Sequence, residues 1–189
     1  FPSNCTETIL NTEWGSFGDC SIEASSSILP CTRFDWKLDR ESKNPNKQKF
    51  EKMISGMYLG EIFRLMLCEA ANNDLLKLSN EIKTHPYSIK TKDMSLFHEA
   101  FLNQNWSLCK SIAETNFGLL DQFSEEELKF LSRLCEVISF RSCRLCAIGI
   151  TAIHRHLLGE SYLSESRMFS VALDGALYQR YPNYSTILQ

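Results

Sequence analysis

The chain has 189 residues, of which 43% are hydrophobic and 23% are charged, and its formal net charge is −3 at pH 7. This length and composition support one sizeable hydrophobic core rather than two independent domains. Acidic and basic residues are interspersed, without the basic stripe that argues for nucleic-acid binding. No apolar run reaches bilayer length, so we expect no membrane-spanning segment.

The chain contains eight cysteines, at positions 5, 20, 31, 68, 109, 135, 143 and 146. Several fall inside apolar helical patterns, where a free cysteine behaves as a small hydrophobe. Cys143 and Cys146, with the following His154 and His156, superficially resemble a metal site, but one helix cannot wrap all four around an ion. We therefore predict free thiols, no metal site and a cytoplasmic location, with secretion as the alternative if a signal lies upstream.

The predicted elements are mostly helices between short strands, which indicates a helix-rich α/β fold. Ile9–Glu13 has the pattern of a strand, and Ser16–Lys43 that of a long polar connection. Asn44 and Pro45 then mark a helix start, as N-cap and first helical residue. Apolar residues at helical spacing continue to about Ala71, which predicts one long helix.

Two glycines of this predicted helix, Gly56 and Gly60, would allow another backbone to approach it closely. Ordinary helix packing is the simpler interpretation of both. The stretch that follows contains the pattern of two short helices, around Ser95–Asn103 and Ser107–Thr115.

The last third of the chain contains a second long helix. Ser124 and Glu127 form a capping box, and apolar residues at helical spacing follow to Leu157. Phe169–Leu173 has the pattern of a final strand, which an Asp-Gly turn ends. A short helix, Ala176–Arg180, is predicted after that turn.

Three stretches together resemble one family, the hexokinases. Residues 11–17 read Asn-Thr-Glu-Trp-Gly-Ser-Phe, similar to a run of the family's large domain. Residues 50–61 match its Phe/Tyr-Glu-Lys-x-Ile-x-Gly-x-Tyr-x-Gly-Glu helix, and residues 171–178 approach its Val-x-x-Asp-Gly-Ser-Leu-Tyr motif. Weaker similarity, including residues 89–91 and Ser95, extends the resemblance over nearly the whole chain. It implies an actin/hexokinase-like (ribonuclease H-like) ATPase fold, with residues 1–189 as one segment of the large domain.

The resemblance implies a sugar site. In such enzymes the glutamates of the first two motifs accept hydrogen bonds from sugar hydroxyls, which assigns this role to Glu13 and Glu51. Gln48 stands where a glutamine helps to line the site, and Asn11 belongs to the first run. Carboxylates suit a polyol because they accept short charge-assisted hydrogen bonds. Without the resemblance, both glutamates would be interpreted as surface acids.

The third motif implies a nucleotide site at Asp174, Gly175 and Ala176, since the corresponding turn lies beside the nucleotide in this family. Glycine permits close approach of the backbone, and unpaired N–H groups at a helix start favour an anion. Ala176 stands where serine is usual, which removes a hydroxyl. The expected ligands are therefore glucose or a related hexose and ATP with Mg²⁺, with no metal ligand from this chain.

Other departures from the family pattern matter as well. Asn46 and Lys47 replace a glycine and a glutamine before the second motif, which leaves the sugar preference open. The general-base aspartate and the phosphate loops of the family are expected upstream of Phe1, and a nucleotide-closing segment after Gln189. We therefore expect no catalytic residue in this chain, and no activity from it alone.

The predicted function is that of one part of an ATP-dependent hexose 6-kinase, which phosphorylates glucose in the first step of glycolysis. Two alternatives stay open at this point. One is a hexose-binding sensor or regulator that has lost catalysis. The other is a helical interaction module that reuses the same scaffold.

Overall fold

A computed structural model describes residue 9 and residues 11–19, 28–120, 124–158 and 169–189. Within these ranges the chain forms one 3₁₀ turn and nine helices. The turn is Trp14–Ser16, and the helices are α1 Arg33–Glu41, α2 Lys49–Ile54, α3 Leu59–Asn72, α4 Asn80–Thr84, α5 Thr91–Leu102, α6 Trp106–Thr115, α7 Glu125–Leu158, α8 Ala176–Arg180 and α9 Tyr184–Leu188. The extended pairing in the described residues is one isolated antiparallel bridge, Leu78 to Leu119. The prediction of a helix-rich fold is confirmed.

The main hydrophobic core lies between α3, α5, α6 and α7. Phe63, Phe97 and Phe117 are fully buried there, and the Phe117 ring centroid lies 4.7 Å from that of Phe63 and 5.3 Å from that of Phe97. Aromatic pairs at such distances contribute beyond their buried area. Tyr181 and Tyr184 are buried in the same core, which anchors the C-terminal helices to the rest of the fold.

A smaller core lies between α2 and α7. Its buried members are Leu29, Phe50, Met53, Ile54 and Leu145, and Trp14 packs against its edge. The 3₁₀ turn therefore rests on α2.

Helix α7 begins as predicted. The Glu127 side chain accepts hydrogen bonds from the Ser124 backbone N–H and hydroxyl, both at 2.8 Å, and the Glu127 N–H donates to the Ser124 hydroxyl at 3.2 Å. The predicted capping box is thus formed. The helix then packs against α2, α3, α5 and α9, so the prediction of a long core helix is confirmed. The predicted buried face does not extend to the end of the helix, because Leu157 is exposed.

By length and composition, residues 125–157 of α7 could cross a membrane, although no apolar run of bilayer length was expected. One face of this stretch, including Leu128, Leu131, Cys135 and Ile138, is buried within the fold. Core helices of folded domains pass the same test of length and composition, so this helix is weak evidence for a membrane span.

The single helix predicted for residues 44–71 is wrong, because α2 and α3 replace it. Asn46 and Gln48 have φ angles of 61° and 55°, left-handed conformations that a right-handed helix does not contain. The Asn46 N–H donates to the Asp39 carboxylate at 3.1 Å, which holds the loop before α2 in this shape. Helix α2 then ends because Ser55 is extended, with a ψ angle of 137°.

Neither predicted strand is present in the described residues. Ile9 and residues 11–13 belong to no ladder, and Glu13 has a left-handed φ angle of 46°. Residues 169–173 are irregular and their side chains are exposed. An apolar run becomes a strand only where a neighbouring strand completes its hydrogen bonds, and the described residues provide none for these two runs.

The long polar connection predicted for residues 16–43 is also wrong in part, because it contains α1. The Thr32 N–H donates to the Asp35 carboxylate at 2.7 Å, in a capping box that starts this helix. Arg141 of α7 binds both oxygens of the same carboxylate, at 2.7 and 2.8 Å. The Thr-x-x-Asp spacing was the available sequence signal, and the salt bridge to α7 fixes the helix against the core. Residues 20–27 lie outside the described residues.

The predicted short helices are confirmed. The two predicted around Ser95–Asn103 and Ser107–Thr115 correspond to α5 and α6, each of which begins earlier than predicted, and α8 has the predicted bounds. Helices α4 and α9, of five residues each, were not predicted. Helices this short are marginal without tertiary contacts, so local sequence carries little signal for them.

Five cysteines that the structure describes are free thiols, as predicted: Cys68, Cys109, Cys135, Cys143 and Cys146. The Cys31 thiol donates to the Met53 sulfur at 3.8 Å. The Cys143 thiol donates a hydrogen bond to the Tyr184 carbonyl oxygen at 3.4 Å. Burial raises the pKa of this thiol to about 11, so it stays protonated at neutral pH. Cys5 and Cys20 lie outside the described residues.

Candidate functional site

The run that contains Glu13 packs directly on α2. The ring centroid of Phe50 lies 5.7 Å from that of Trp14 and 6.3 Å from that of Phe17. These three rings join the segment on either side of the 3₁₀ turn to the smaller core. The structure thus brings together two sequence motifs that lie more than thirty residues apart in the chain.

Gly15 lies close to the start of α2. A Cβ atom on this residue would lie 2.5 Å from Oε1 of Gln48 and 3.2 Å from Cβ of Glu51. The Gln48 amide is the far end of a flexible side chain and could move aside, whereas the 3.2 Å distance to the Glu51 Cβ is tight, so glycine favours this close packing. The four predicted sugar-site residues, Asn11 and Glu13 in the first run and Gln48 and Glu51 at the start of α2, therefore belong to two segments in direct contact.

The carboxylates of this site have accepting oxygens available. Asn11, the fourth predicted residue, donates from its amide to Oε1 of Glu13 at 2.5 Å, and both side chains are exposed. No hydrogen bond or ion pair joins the Glu51 carboxylate to another residue within the described ranges. Burial, and then the nearby charge of Glu51, raise the pKa of the Tyr58 hydroxyl. Both carboxylates can therefore accept donors from a bound polyol.

Glu13 also lines a groove of about 480 Å³ between the 3₁₀ turn and α7. Its walls include Phe17 and Phe50 on one side and Ile148 and Gly149 on the other. This volume is within the range of small-molecule sites, which are typically apolar clefts with a few polar groups. The groove thus has the size and the wall chemistry of a ligand site.

A buried ion pair holds the loop before α2. The Lys52 ammonium lies 2.7 Å from the Asp39 carboxylate, with side chains only 3% and 6% exposed, and it donates to the Asn44 carbonyl at 2.7 Å. Asn46, which stands where the family has glycine, has a φ angle of 61°. Asparagine tolerates the left-handed region better than other non-glycine residues, so this departure preserves the backbone shape. Sequence reasoning missed the role of Lys52 and Asp39.

A second groove, of about 430 Å³, lies between the start of α5 and the segment around α8. It is lined by Gly56, Thr91, Lys92, Ser95, Leu96, Glu99, Ala176, Leu177, Arg180 and Tyr181. Of the three residues predicted for the nucleotide, only Ala176 lines this groove. The Asp174 side chain is exposed and lies 3.5 Å from the amide of Gln179, and a Cβ on Gly175 would meet nothing within 4 Å.

The start of α5 is positioned by Gly60. Its N–H donates to the Thr91 hydroxyl at 2.9 Å, and a Cβ on it would lie 2.5 Å from the Ile89 carbonyl oxygen. The close backbone approach considered from the sequence therefore occurs at Gly60, whereas Gly56 makes an ordinary contact, 3.7 Å, with Leu177. Thr91 carried only weak similarity in the sequence, and its place in the groove depends on this contact.

Solved structures identify the fold. A crystal structure of a hexokinase superposes with a TM-score of 0.75 and 26% identity, over 94% of this chain and 36% of that one. The hexokinase from Schistosoma mansoni, complexed with glucose, gives a TM-score of 0.75 and 25% identity, over 94% of this chain and 38% of that one. The described residues therefore have the fold of a part of these hexokinases.

Sequence comparison defines the family. The hexokinase family profile matches residues 2–189, and this chain belongs to the hexokinase family. Hexokinase-7 of Oryza sativa subsp. japonica is 36% identical over 188 residues, which are 96% of this chain and 37% of that protein. Hexokinase-3 of Homo sapiens is 33% identical over 190 residues, which are 99% of this chain and 19% of that protein. The chain thus spans well under half the length of these relatives.

Proposed function

We propose that this chain is a segment of an ATP-dependent hexose 6-kinase that phosphorylates glucose in the first step of glycolysis. It would supply half of the residues around the sugar and part of the nucleotide site. The observation that carries this proposal is the contact of the Glu13 run with α2. Gly15 of the run packs closely against Gln48 and Glu51 at the start of that helix. Membership of the hexokinase family and the glucose complex of the Schistosoma mansoni relative support this proposal.

In the proposed sugar site, Glu13 and Glu51 accept hydrogen bonds from hydroxyl groups of the hexose. Asn11 orients Glu13 through its amide, and the Gln48 amide can both donate and accept. Two charged acceptors favour a ligand with several donors in fixed positions, because an aliphatic ligand would leave both carboxylates desolvated and unpaired. They orient the sugar and are not the general base.

In the proposed nucleotide site, Ala176 lines the groove, while Asp174 and Gly175 form the turn that leads into α8. The opposite wall offers the hydroxyls of Thr91 and Ser95, and Lys92 and Arg180 line the same groove, which suits the phosphates of ATP. Mg²⁺ is held mainly by substrate phosphates in sites of this chemistry, and we assign it no ligand in this chain.

The segment belongs, in this proposal, to the large domain of a ribonuclease H-like ATPase fold, and residues 1–189 form one unit. Phosphoryl transfer needs nucleotide, metal and an activated hydroxyl in one arrangement. We assign the general base to a part of the enzyme other than this segment. The free thiols of the described residues favour a reducing, cytoplasmic location.

The test is Glu51→Gln in the full-length protein. The loss of a charged acceptor should weaken glucose binding by about 1.5–3 kcal/mol, while the free energy of unfolding changes little. Titration calorimetry measures the affinity, and thermal unfolding checks the fold. Glu126→Gln, on the exposed face of α7, is the matched control and should leave the affinity unchanged. Unchanged affinity in Glu51→Gln would contradict the proposed sugar site.

The 189-residue chain by itself should not phosphorylate glucose, because the segment contributes no general base. A coupled assay with ATP, Mg²⁺ and glucose should give the rate of the buffer blank. Turnover above the blank would show that the segment contains a complete active site.

A further inference from the structure

Asp19 joins the two segments of the proposed sugar site. Its carboxylate accepts the backbone N–H of Gln48 through Oδ2 and that of Lys49 through Oδ1, both at 2.9 Å. The two donors stand at the N-cap and first positions of α2. N–H groups at the start of a helix have no partner within the helix, so a carboxylate from 29 residues away satisfies them.

These hydrogen bonds also hold Gln48 in an unusual conformation. Its φ angle of 55° is left-handed, which costs a non-glycine residue roughly 1–2 kcal/mol. Such a conformation persists only where the surroundings determine it. Because the direction of the Gln48 side chain follows from its backbone, the Asp19 carboxylate sets where the amide points.

On its other side, Asp19 is connected to Glu13 by consecutive turns. The Asp19 N–H donates to the Ser16 carbonyl at 3.1 Å, and the Ser16 N–H donates to the Glu13 carbonyl at 3.1 Å. The Ser16 hydroxyl donates to the same Glu13 carbonyl at 2.9 Å. The short segment from Glu13 to Asp19 therefore has its own hydrogen bonds, and the Asp19 side chain ties its far end to α2.

We propose that Asp19 is a positioning residue of the sugar site, which holds Gln48 and Glu51 in place relative to Glu13. This inference rests on the proposed function. Asp19 acts through the backbone of α2, and its two carboxylate oxygens are occupied by the N–H groups of Gln48 and Lys49. An asparagine has only one accepting oxygen, and its amide NH₂ cannot accept the second N–H.

The test is Asp19→Asn in the full-length protein, with steady-state kinetics for both substrates. The KM for glucose should rise roughly 10-fold or more, since a charge-assisted hydrogen bond is lost, and the KM for ATP should stay within about 2-fold of its original value. Glu127→Gln is the matched control, because it also removes a capping carboxylate, at the start of α7. A purely structural effect would lower the active fraction and leave both KM values unchanged.

The result for Glu51→Gln separates the two proposals. If Glu51→Gln weakens glucose binding and a folded Asp19→Asn protein keeps its glucose KM, the positioning role is wrong and the sugar site stands. If neither change affects glucose, the proposed function fails and this inference with it.

Amide hydrogen exchange of the unliganded, unmutated protein tests the same claim without any variant. The Gln48 and Lys49 amides should be protected before sugar binds, because Asp19 already accepts them. Exchange of both amides at the rate of unprotected groups would overturn the proposal.

Discussion

The two candidate sites are held very differently. At the sugar site, a buried ion pair, an external carboxylate cap and three aromatic rings join the loop, α2 and the Glu13 run. At the nucleotide site, α8 has no buried residue, and the Ser95 hydroxyl reaches the Arg180 carbonyl at a long 3.4 Å. The proposed sugar side is therefore held by buried and charged contacts within this chain, whereas the turn before α8 is open, since a Cβ on Gly175 would meet nothing within 4 Å.

The two proposed ligands offer a physical reason for this difference. Preorganised hydrogen-bonding groups discriminate among small polar ligands, because a misplaced acceptor is left unpaired in the complex. A nucleotide is larger and gains binding from many contacts, so its site tolerates a less rigid wall.

The largest effect is expected for Lys52→Met, which removes one partner of the buried ion pair. The Asp39 carboxylate would remain buried without its countercharge, which typically costs about 3–5 kcal/mol. Denaturant unfolding of the full-length protein should show this loss. Arg133→Met removes one partner of an exposed pair on α7 and should cost less than about 1 kcal/mol. Equal losses of stability in the two variants would contradict the claim that the buried ion pair holds the sugar side in place.

Gly60→Ala should give the second largest effect. The new Cβ would lie 2.5 Å from the Ile89 carbonyl oxygen and 2.6 Å from the Thr91 nitrogen, and a backbone cannot yield as a side chain does. Overpacking of this kind costs about 1–3 kcal/mol and should raise the KM for ATP, since Thr91 lines the nucleotide groove. Gly56→Ala is the control, because its nearest neighbour is an ordinary 3.7 Å away. If both variants unfold at the same denaturant concentration, the close approach of Gly60 to the start of α5 does not contribute to stability.

Gly175→Val should have a smaller effect on stability and a selective effect on ATP. A φ angle of 152° strains an L residue, at a cost of roughly 1–2 kcal/mol, although a Cβ here meets nothing within 4 Å. We expect a higher KM for ATP and nearly unchanged glucose affinity. Ala172→Val, in the exposed segment before the turn, is the control. An equal loss of glucose binding would show that the turn supports the whole fold rather than the nucleotide side.

The smallest effect concerns His98 of α5, whose buried ring contacts Tyr181 at a centroid distance of 5.9 Å. Its Nδ1 has no hydrogen-bond partner among the residues that the structure describes. Burial lowers the pKa of His98, while the charge of Glu136 partly opposes this. At pH values above the ordinary histidine pKa, the His98 ring is neutral in both the unfolded and the folded state. As the pH falls below it, the unfolded state binds a proton first, so stability is lost, by at most about 1.4 kcal/mol per pH unit.

The free energy of unfolding, measured between about pH 8 and about pH 5.5, tests whether stability falls on acidification. The unmutated protein should lose more stability on acidification than His98→Gln, which cannot titrate. Identical pH profiles would show that His98 is not shielded in the folded state.

Much of the helical framework follows from local sequence. The Ser124–Glu127 capping box and the apolar spacing after it predict α7, and apolar spacing likewise predicts α5 and α6. These elements are decided by caps and periodicity within a few residues of each other. The motif residues Glu13, Gln48, Glu51 and Ala176 are likewise visible in the sequence, through the family resemblance.

The tertiary structure alone decides how those residues are arranged. Asp39 accepts a backbone N–H group of the loop before α2, and Asp19 accepts one at the start of α2. These hydrogen bonds hold residues 44–48 in a loop, although the apolar spacing predicts a helix there. Glu13 is not in a strand, because its segment turns back onto α2. The contact with Gly60 places Thr91 in the second groove. Each of these contacts joins residues distant in the chain or follows from one that does. Local propensities, worth tenths of a kcal/mol per residue, yield to hydrogen bonds and buried charges worth several times more.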